Sequence, residues 1–217
     1  MLKCAEGAER VPVALIRALA ARLFRDVPRR DKIPAWVQGS EQMKFTMMVL
    51  SLGASLGGSA AWADPPKTLR VTESVEIKAP IDEVWATVRD FDSLNKWHPG
   101  FASDELVSGG NGKVGAVRKL TIKDGPTFTE RLLAFDAAHH SYRYKILESP
   151  LPFTGYASTI SVRPGPAGTT RVIWSGSCKR KNPADNPPEA ESDAGVTKLL
   201  KGVYRGGLDN LKKMLEH

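Results

Sequence analysis

The sequence predicts a single α+β domain: one strand, two short helices, six further strands and a long final helix, the sheet antiparallel with about seven strands. Two observations carry this. Runs rich in β-branched and aromatic residues recur at short intervals between residues 69 and 177, separated by turn-forming segments, which implies consecutive hairpins. Toward the end, Val196, Leu200, Val203, Leu208, Leu211 and Leu215 fall on helical spacing and form an apolar stripe. The sheet must bury one face, and that final helix is the one substantial element available to cover it.

Each element has a local signal. Leu69 to Lys78 alternates apolar with polar residues and stops at Ala79-Pro80, because proline cannot donate to a ladder. Pro80 then suits a helix start, with Asp82 and Glu83 in the first turn where the dipole favours negative charge. Ile81, Val84, Trp85 and Val88 continue at helical spacing, and a second helical turn over Ser93 to Trp97 is stopped by His98-Pro99-Gly100. Strands are expected over Phe101–Ser108, Ala116–Lys123, Thr127–Asp136, Ser141–Leu147, Thr154–Arg163 and Thr170–Ser177. A polar, proline-bearing loop from Lys179 to Asp193 leads into the last helix, and no internal repeat is evident.

The 217 residues, 41% hydrophobic and 25% charged, exclude collagen, coiled coil and multipass membrane protein. A formal charge of +7 invites a polyanionic partner, but residues 1–63 hold nine basic and five acidic residues, leaving 22 basic against 19 acidic in the rest. At a net of only +3 over that remainder, nucleic acid is not an expected partner. Cys4 and Cys178 make neither a disulfide framework nor a zinc site.

Residues 43–63, MKFTMMVLSLGASLGGSAAWA, run from a positive charge at Lys44 through an apolar stretch to Ala61-Trp62-Ala63. Charge, apolar core and small residues in that order read as a secretory signal peptide cleaved after Ala63, which places the mature chain in the periplasm. The apolar core is short and glycine-rich, so no stable membrane span is expected in the mature form; a membrane anchor or a buried helix is the alternative use of these residues. Residues 1–42 form an N-terminal extension whose basic amphipathic run Val13–Val27 can mean a helix on a membrane surface; the simpler and preferred reading is a start site assigned too early, with Met43 the initiator. Residues 64–68, with Pro65 and Pro66, are a stiff leader to a domain over 69–217.

Ile77-Lys78-Ala79-Pro80 followed by Glu83-Val84-Trp85, then Asp90-Phe91, Trp97-His98-Pro99, Gly115-Ala116-Val117-Arg118, Thr129-Glu130-Arg131-Leu132, Tyr142 to Ile146 and Tyr204 to Leu211 together resemble the START-like, Bet v 1-like (SRPBCC) superfamily of polyketide cyclases, aromatase-like proteins and lipid carriers. Trp97-His98-Pro99, Gly115 to Arg118, Tyr156 to Val162 and Gly207 to Lys212, behind an export segment, are similar to the exported MxaD-type proteins. The resemblance implies a helix-grip, a curved antiparallel sheet wrapped around the C-terminal helix with a cavity between them. The export segment joined to a cavity-forming fold without a catalytic constellation points to a non-enzymatic binding protein, and no cofactor is expected. A small apolar or amphipathic ligand, or periplasmic redox proteins (methanol dehydrogenase and its cytochrome), would be the partner in an accessory role in methanol oxidation. The alternative is a polyketide cyclase or aromatase-like enzyme, or a carrier of lipid or another hydrophobic ligand.

Residues Trp97, Arg118, Glu130, Tyr142, Tyr144, Tyr156, Trp174 and Val203 are the cavity candidates. Arg118 shares a strand face with Leu120 and Ile122, so its guanidinium projects toward the interior to hold a carboxylate ligand or an internal acid; a surface ion pair is the plainer reading. Glu130 is its natural partner, although alternation leaves open which face of its strand points inward. Tyr142 and Tyr144 share a face, as do Tyr156, Ser158, Ile160 and Val162, so the tyrosines line a pocket or fill a core. Gly202, Gly206 and Gly207 either open a void beside the helix or permit close helix-to-sheet contact. The histidines, with His139-His140 in a turn, form no metal motif. Gly109 to Gly115 is a flexible turn rather than a phosphate loop, and Lys179-Arg180-Lys181 a solvated loop. No nucleophile–base constellation assembles.

Overall fold

Successive antiparallel hairpins build most of the sheet, as the turn chemistry requires. The computed structural model describes residues 67–216. Its elements are β1 (Leu69–Ile77), α1 (Ile81–Val88), α2 (Leu94–Trp97), β2 (Phe101–Ser108), β3 (Val117–Ile122), β4 (Thr127–Asp136), β5 (Ser141–Glu148), β6 (Phe153–Pro164), β7 (Thr170–Arg180) and α3 (Asp193–Leu215). The extension over 1–42, the export segment over 43–63 and most of the leader over 64–68 lie outside the described residues.

Seven strands form one sheet in the order β1-β7-β6-β5-β4-β3-β2, so the first strand closes on the last while the others follow the chain. Alternation sets the buried face: Arg118, Leu120 and Ile122 of β3, Tyr142 and Tyr144 of β5, and Tyr156, Ser158, Ile160 and Val162 of β6 all turn inward. In β4 the pattern changes midway. Phe128, Glu130 and Leu132 are buried, then the register slips between Leu132 and Ala134, and Phe135 takes the inner side against Trp85. Another slip, between Thr154 and Ala157, accommodates Gly155 at φ 62°, a left-handed conformation that glycine adopts without strain.

α3 lies against β1 and β7 and buries Val196, Leu200, Tyr204, Leu208 and Leu211. Ser192 caps its start by accepting from Gly195 N at 3.0 Å, while Lys212 and Lys213 occupy the last turn, where the dipole favours positive charge. Polar side chains fasten it along the edge strand. Arg205 Nη2 donates to Glu73 Oε2 at 2.7 Å, Lys212 Nζ to Glu76 O at 2.8 Å, and Lys78 N to Glu216 Oε1 at 2.8 Å. No described helix is long and apolar enough to cross a membrane.

At Gly207 the helix makes close contact rather than a void. A Cβ on Gly207 would stand 2.5 Å from His98 Cδ2 and 3.0 Å from Trp174 Cζ3, so this glycine lets two rings press on the helix; a Cβ on Gly206 would meet nothing within 4 Å. Two loops are more tightly held than their composition predicts. Asn111, in the glycine-rich turn, accepts from Phe91 N at 2.8 Å and donates to Asp92 Oδ1 at 2.8 Å. Arg180 is not solvated: it pairs with Asp193 at 3.1 Å and donates to Asn182 O and Ala184 O, tying down the loop before α3.

Candidate functional site

Three inward strands place one cation between two acids. Arg118 of β3 is fully enclosed; its Nε and Nη2 donate to Glu130 Oε2 at 2.8 and 2.6 Å, and its Nη1 donates to Phe91 O at 2.6 Å and Asp104 Oδ2 at 3.1 Å. The guanidinium lies over the ring of Phe91 at 4.2 Å and that of Tyr144 at 5.0 Å, which favours the charged form further. Burial opposes the charge, and Glu130 and Asp104 outweigh burial, so Arg118 stays protonated. Burial raises both acids against the pull of Arg118: Asp104 to about 6, and Glu130 above its usual range. Asp104 Oδ2 also accepts from Leu94 N at 3.0 Å, anchoring α2, while Oδ1 is enclosed without a partner.

Beside this cluster a cavity of about 50 Å³ lies between the sheet and α3. Ile122, Phe128, Ile146, Phe153, Leu199 and Leu200 are among its apolar walls, with Phe101 and Leu151 beside them. His98, Glu130, Tyr144, Tyr156 and Trp174 are the lining residues with polar side-chain groups. Phe101, Phe128, Phe153 and Trp174 are among the rings that line the cavity, and the space equals roughly four waters at about 10–15 Å³ each.

A hydrogen-bonded string runs behind the cavity wall. Trp174 Nε1 donates to Tyr144 OH and Ser158 Oγ, each at 3.0 Å; Ser158 Oγ lies 3.2 Å from Tyr204 OH, and Tyr204 OH 2.9 Å from Tyr156 OH. Trp174 stacks on Tyr204 with centroids 4.6 Å apart. Burial raises the Tyr144 and Tyr156 hydroxyls well above their usual range, so both keep their protons.

His98 joins the sheet side to α3. Its Nε2 donates to Val203 O at 2.8 Å and its Nδ1 accepts from Gly100 N at 3.0 Å, which fixes a neutral tautomer. Burial lowers its pKa to about 4, against the hydrogen bond to Val203 that favours charge.

Of the candidates read from sequence, Glu130, Tyr144, Tyr156, Trp174 and Val203 line the cavity. Trp97, Arg118 and Tyr142 are buried but outside its lining: Trp97 packs on Trp174 at 5.6 Å, and Tyr142 on Phe91 at 6.3 Å. Arg118 meets an internal acid rather than the cavity, as one of its two interior roles required. Sequence reasoning missed Asp104, whose signal was an acid alternating with Leu106 on the inner side of β2, and the locking role of His98. His139 bonds Asp136 at 2.7 Å and His140 packs on Trp85 at 5.4 Å. Cys178 is buried.

A sheet closed on a terminal helix around a small apolar cavity defines the helix-grip, Bet v 1-like class. Within it, the chain belongs to the family described as polyketide cyclase / dehydrase and lipid transport, whose profile matches residues 68–216. Among curated proteins it is 37% identical over 89 residues to the abscisic acid receptor PYL10 of Arabidopsis thaliana, covering 40% of this chain and 48% of that one. It is also 34% identical over 91 residues to PYL7 of the same plant, covering 41% and 42%. The chain thus spans about half the length of these relatives. Among solved structures, XoxI of Bacillus cereus superposes with a TM-score of 0.59 at 34% identity, covering 68% of this chain and 95% of that one. An uncharacterised protein of Bacillus thuringiensis gives 0.57 at 33% identity, covering 67% and 98%.

Proposed function

We propose that this chain is a binding protein for a small apolar or amphipathic molecule, held between the sheet and α3. The observation that carries the reading is the cavity itself, with apolar walls and a few polar groups on the sheet side. Relatives named as receptors for a small molecule, abscisic acid, and a family description that includes lipid transport support it. At about 50 Å³ the cavity takes a molecule of a few heavy atoms as it stands, and a larger one once lining rings such as Phe101 and Phe153 change rotamer. Native mass spectrometry of protein from its own host tests this. A retained molecule of defined mass is expected; protein that is empty in every preparation, and that no small apolar compound stabilises, overturns the reading.

A finer role follows from the export segment over 43–63 together with the MxaD-type stretches: a periplasmic accessory of methanol oxidation, with methanol dehydrogenase or its cytochrome as partner. Pull-down from the periplasm of methanol-grown cells, with N-terminal sequencing of the native chain, tests it. Cleavage after Ala63 and recovery of either redox protein are expected; a native chain that keeps residues 1–63, with neither partner recovered, overturns it. The cyclase alternative has less to work with, because Arg118, which would orient an anionic substrate, is engaged by Glu130, Asp104 and Phe91 O.

A further inference from the structure

Unused hydrogen-bonding capacity collects at one place in the cavity wall. Ser158 Oγ donates its proton to Ser175 O at 2.8 Å, so Tyr204 must donate to Ser158, and Tyr156 in turn to Tyr204. That leaves Tyr144. Its oxygen accepts from Trp174 Nε1, and no described residue accepts its O–H proton. On the neighbouring strand, both Arg118 contacts with Glu130 fall on Oε2, and no described residue donates to Oε1. Glu130 pairs with Ile146 and Leu132 with Tyr144, so Glu130 and Tyr144 are diagonal neighbours on the inner face, a spacing that long side chains bridge. Both line the cavity, and they are only 3% and 1% exposed.

The site therefore offers one donor and one acceptor inside an apolar surround. A hydroxyl group, with one proton and two lone pairs, is the smallest group that answers both. No lysine or arginine is among the lining residues, and the nearby Arg118 is taken up on Nε and both Nη atoms. A carboxylate entering here would stand beside Glu130 with no free cation to meet it, and a hydrocarbon would leave both polar groups unanswered.

Resting on the ligand-binding reading above, we infer that the cavity selects neutral ligands whose apolar body carries a hydroxyl, the hydroxyl donating to Glu130 Oε1 and accepting from the Tyr144 O–H, and that it excludes carboxylates. The test titrates the full chain with phenol, benzene and benzoate at neutral pH, following the Trp174 indole N–H by NMR, since that proton bonds directly to the Tyr144 hydroxyl. Phenol is expected to move this resonance and to bind at least about tenfold more tightly than benzene, while benzoate leaves it in place. In Tyr144→Phe the preference for phenol over benzene shrinks by roughly threefold or more. Equal affinity for phenol and benzene, or benzoate binding as tightly as phenol, overturns the selectivity and leaves the ligand-binding reading standing. If none of the three shifts a resonance of any cavity residue, the hydroxyl selectivity fails, while the ligand-binding reading is decided by the mass-spectrometric test above.

Discussion

Gly206 and Gly207 are adjacent in α3, yet alanine is expected to act in opposite directions at the two. Each replacement removes a helix-interior glycine, a gain of about 1 kcal/mol. At Gly206 the new methyl meets nothing within 4 Å, so most of that gain survives. At Gly207 it would lie 2.5 Å from His98 Cδ2 and 3.0 Å from Trp174 Cζ3. Overpacking of this kind costs about 1–3 kcal/mol, and the upper half of the range applies because His98 is held at both ring nitrogens and cannot swing aside. The net loss at Gly207 is then about 1–2 kcal/mol, and the two variants should differ by roughly 2–3 kcal/mol. For a domain of this size that gap corresponds to about 5–10 °C in Tm. Thermal and urea denaturation of Gly206→Ala and Gly207→Ala measure it. If Gly207→Ala stabilises as much as Gly206→Ala, there is free space beside the helix at that point and the contact described above is wrong.

Two further expectations concern the buried charges. Arg118→Met leaves Glu130 and Asp104 enclosed without their cation and should cost about 3–5 kcal/mol by urea denaturation, whereas adding Glu130→Gln and Asp104→Asn should recover at least about half; a loss under about 1 kcal/mol in the single variant refutes the account. His98 and Asp104 should also oppose each other in pH. Between about pH 4 and 6.5 the unfolded chain holds a proton on His98 that the folded chain does not, so this residue makes stability rise with pH, by at most about 3 kcal/mol. Asp104, raised from 3.8 to about 6, is protonated more readily when folded, so it makes stability fall as pH rises through that window. Relative to the parent, His98→Gln should therefore turn the stability–pH slope downward and Asp104→Asn should turn it upward; identical slopes in all three would sink the assignment.

The fold was legible because its signals are local. Alternation in β3 and β6, the Pro80 stop, and the stripe from Val196 to Leu211 each depend on residues a few positions apart. The site was legible only where a strand kept its alternation. Arg118 reads inward from its neighbours Leu120 and Ile122, whereas Glu130 could not be oriented, because the slip between Leu132 and Ala134 puts Glu130 and Phe135 on the same side. Asp104 escaped for another reason. Its partner Arg118 is supplied by a different strand, and an acid on an edge strand looks like solvent-facing charge until the pairing is known. The contact of Gly207 with His98 joins two residues far apart in the chain, and no local pattern encodes it.

The pairing of β1 with β7 has a consequence for biosynthesis. Leu69 faces Cys178, so the ribosome must add about 100 more residues after the first strand before its neighbour exists. At a synthesis rate of about 5–20 residues per second, a valine-bearing strand waits on the order of 5–20 s without a mate, the condition in which nascent chains stick to one another. Arg70, Glu73 and Glu76, spaced along that segment, break up its apolar run with charge during the interval, and two of them later fasten the helix or the last strand in place.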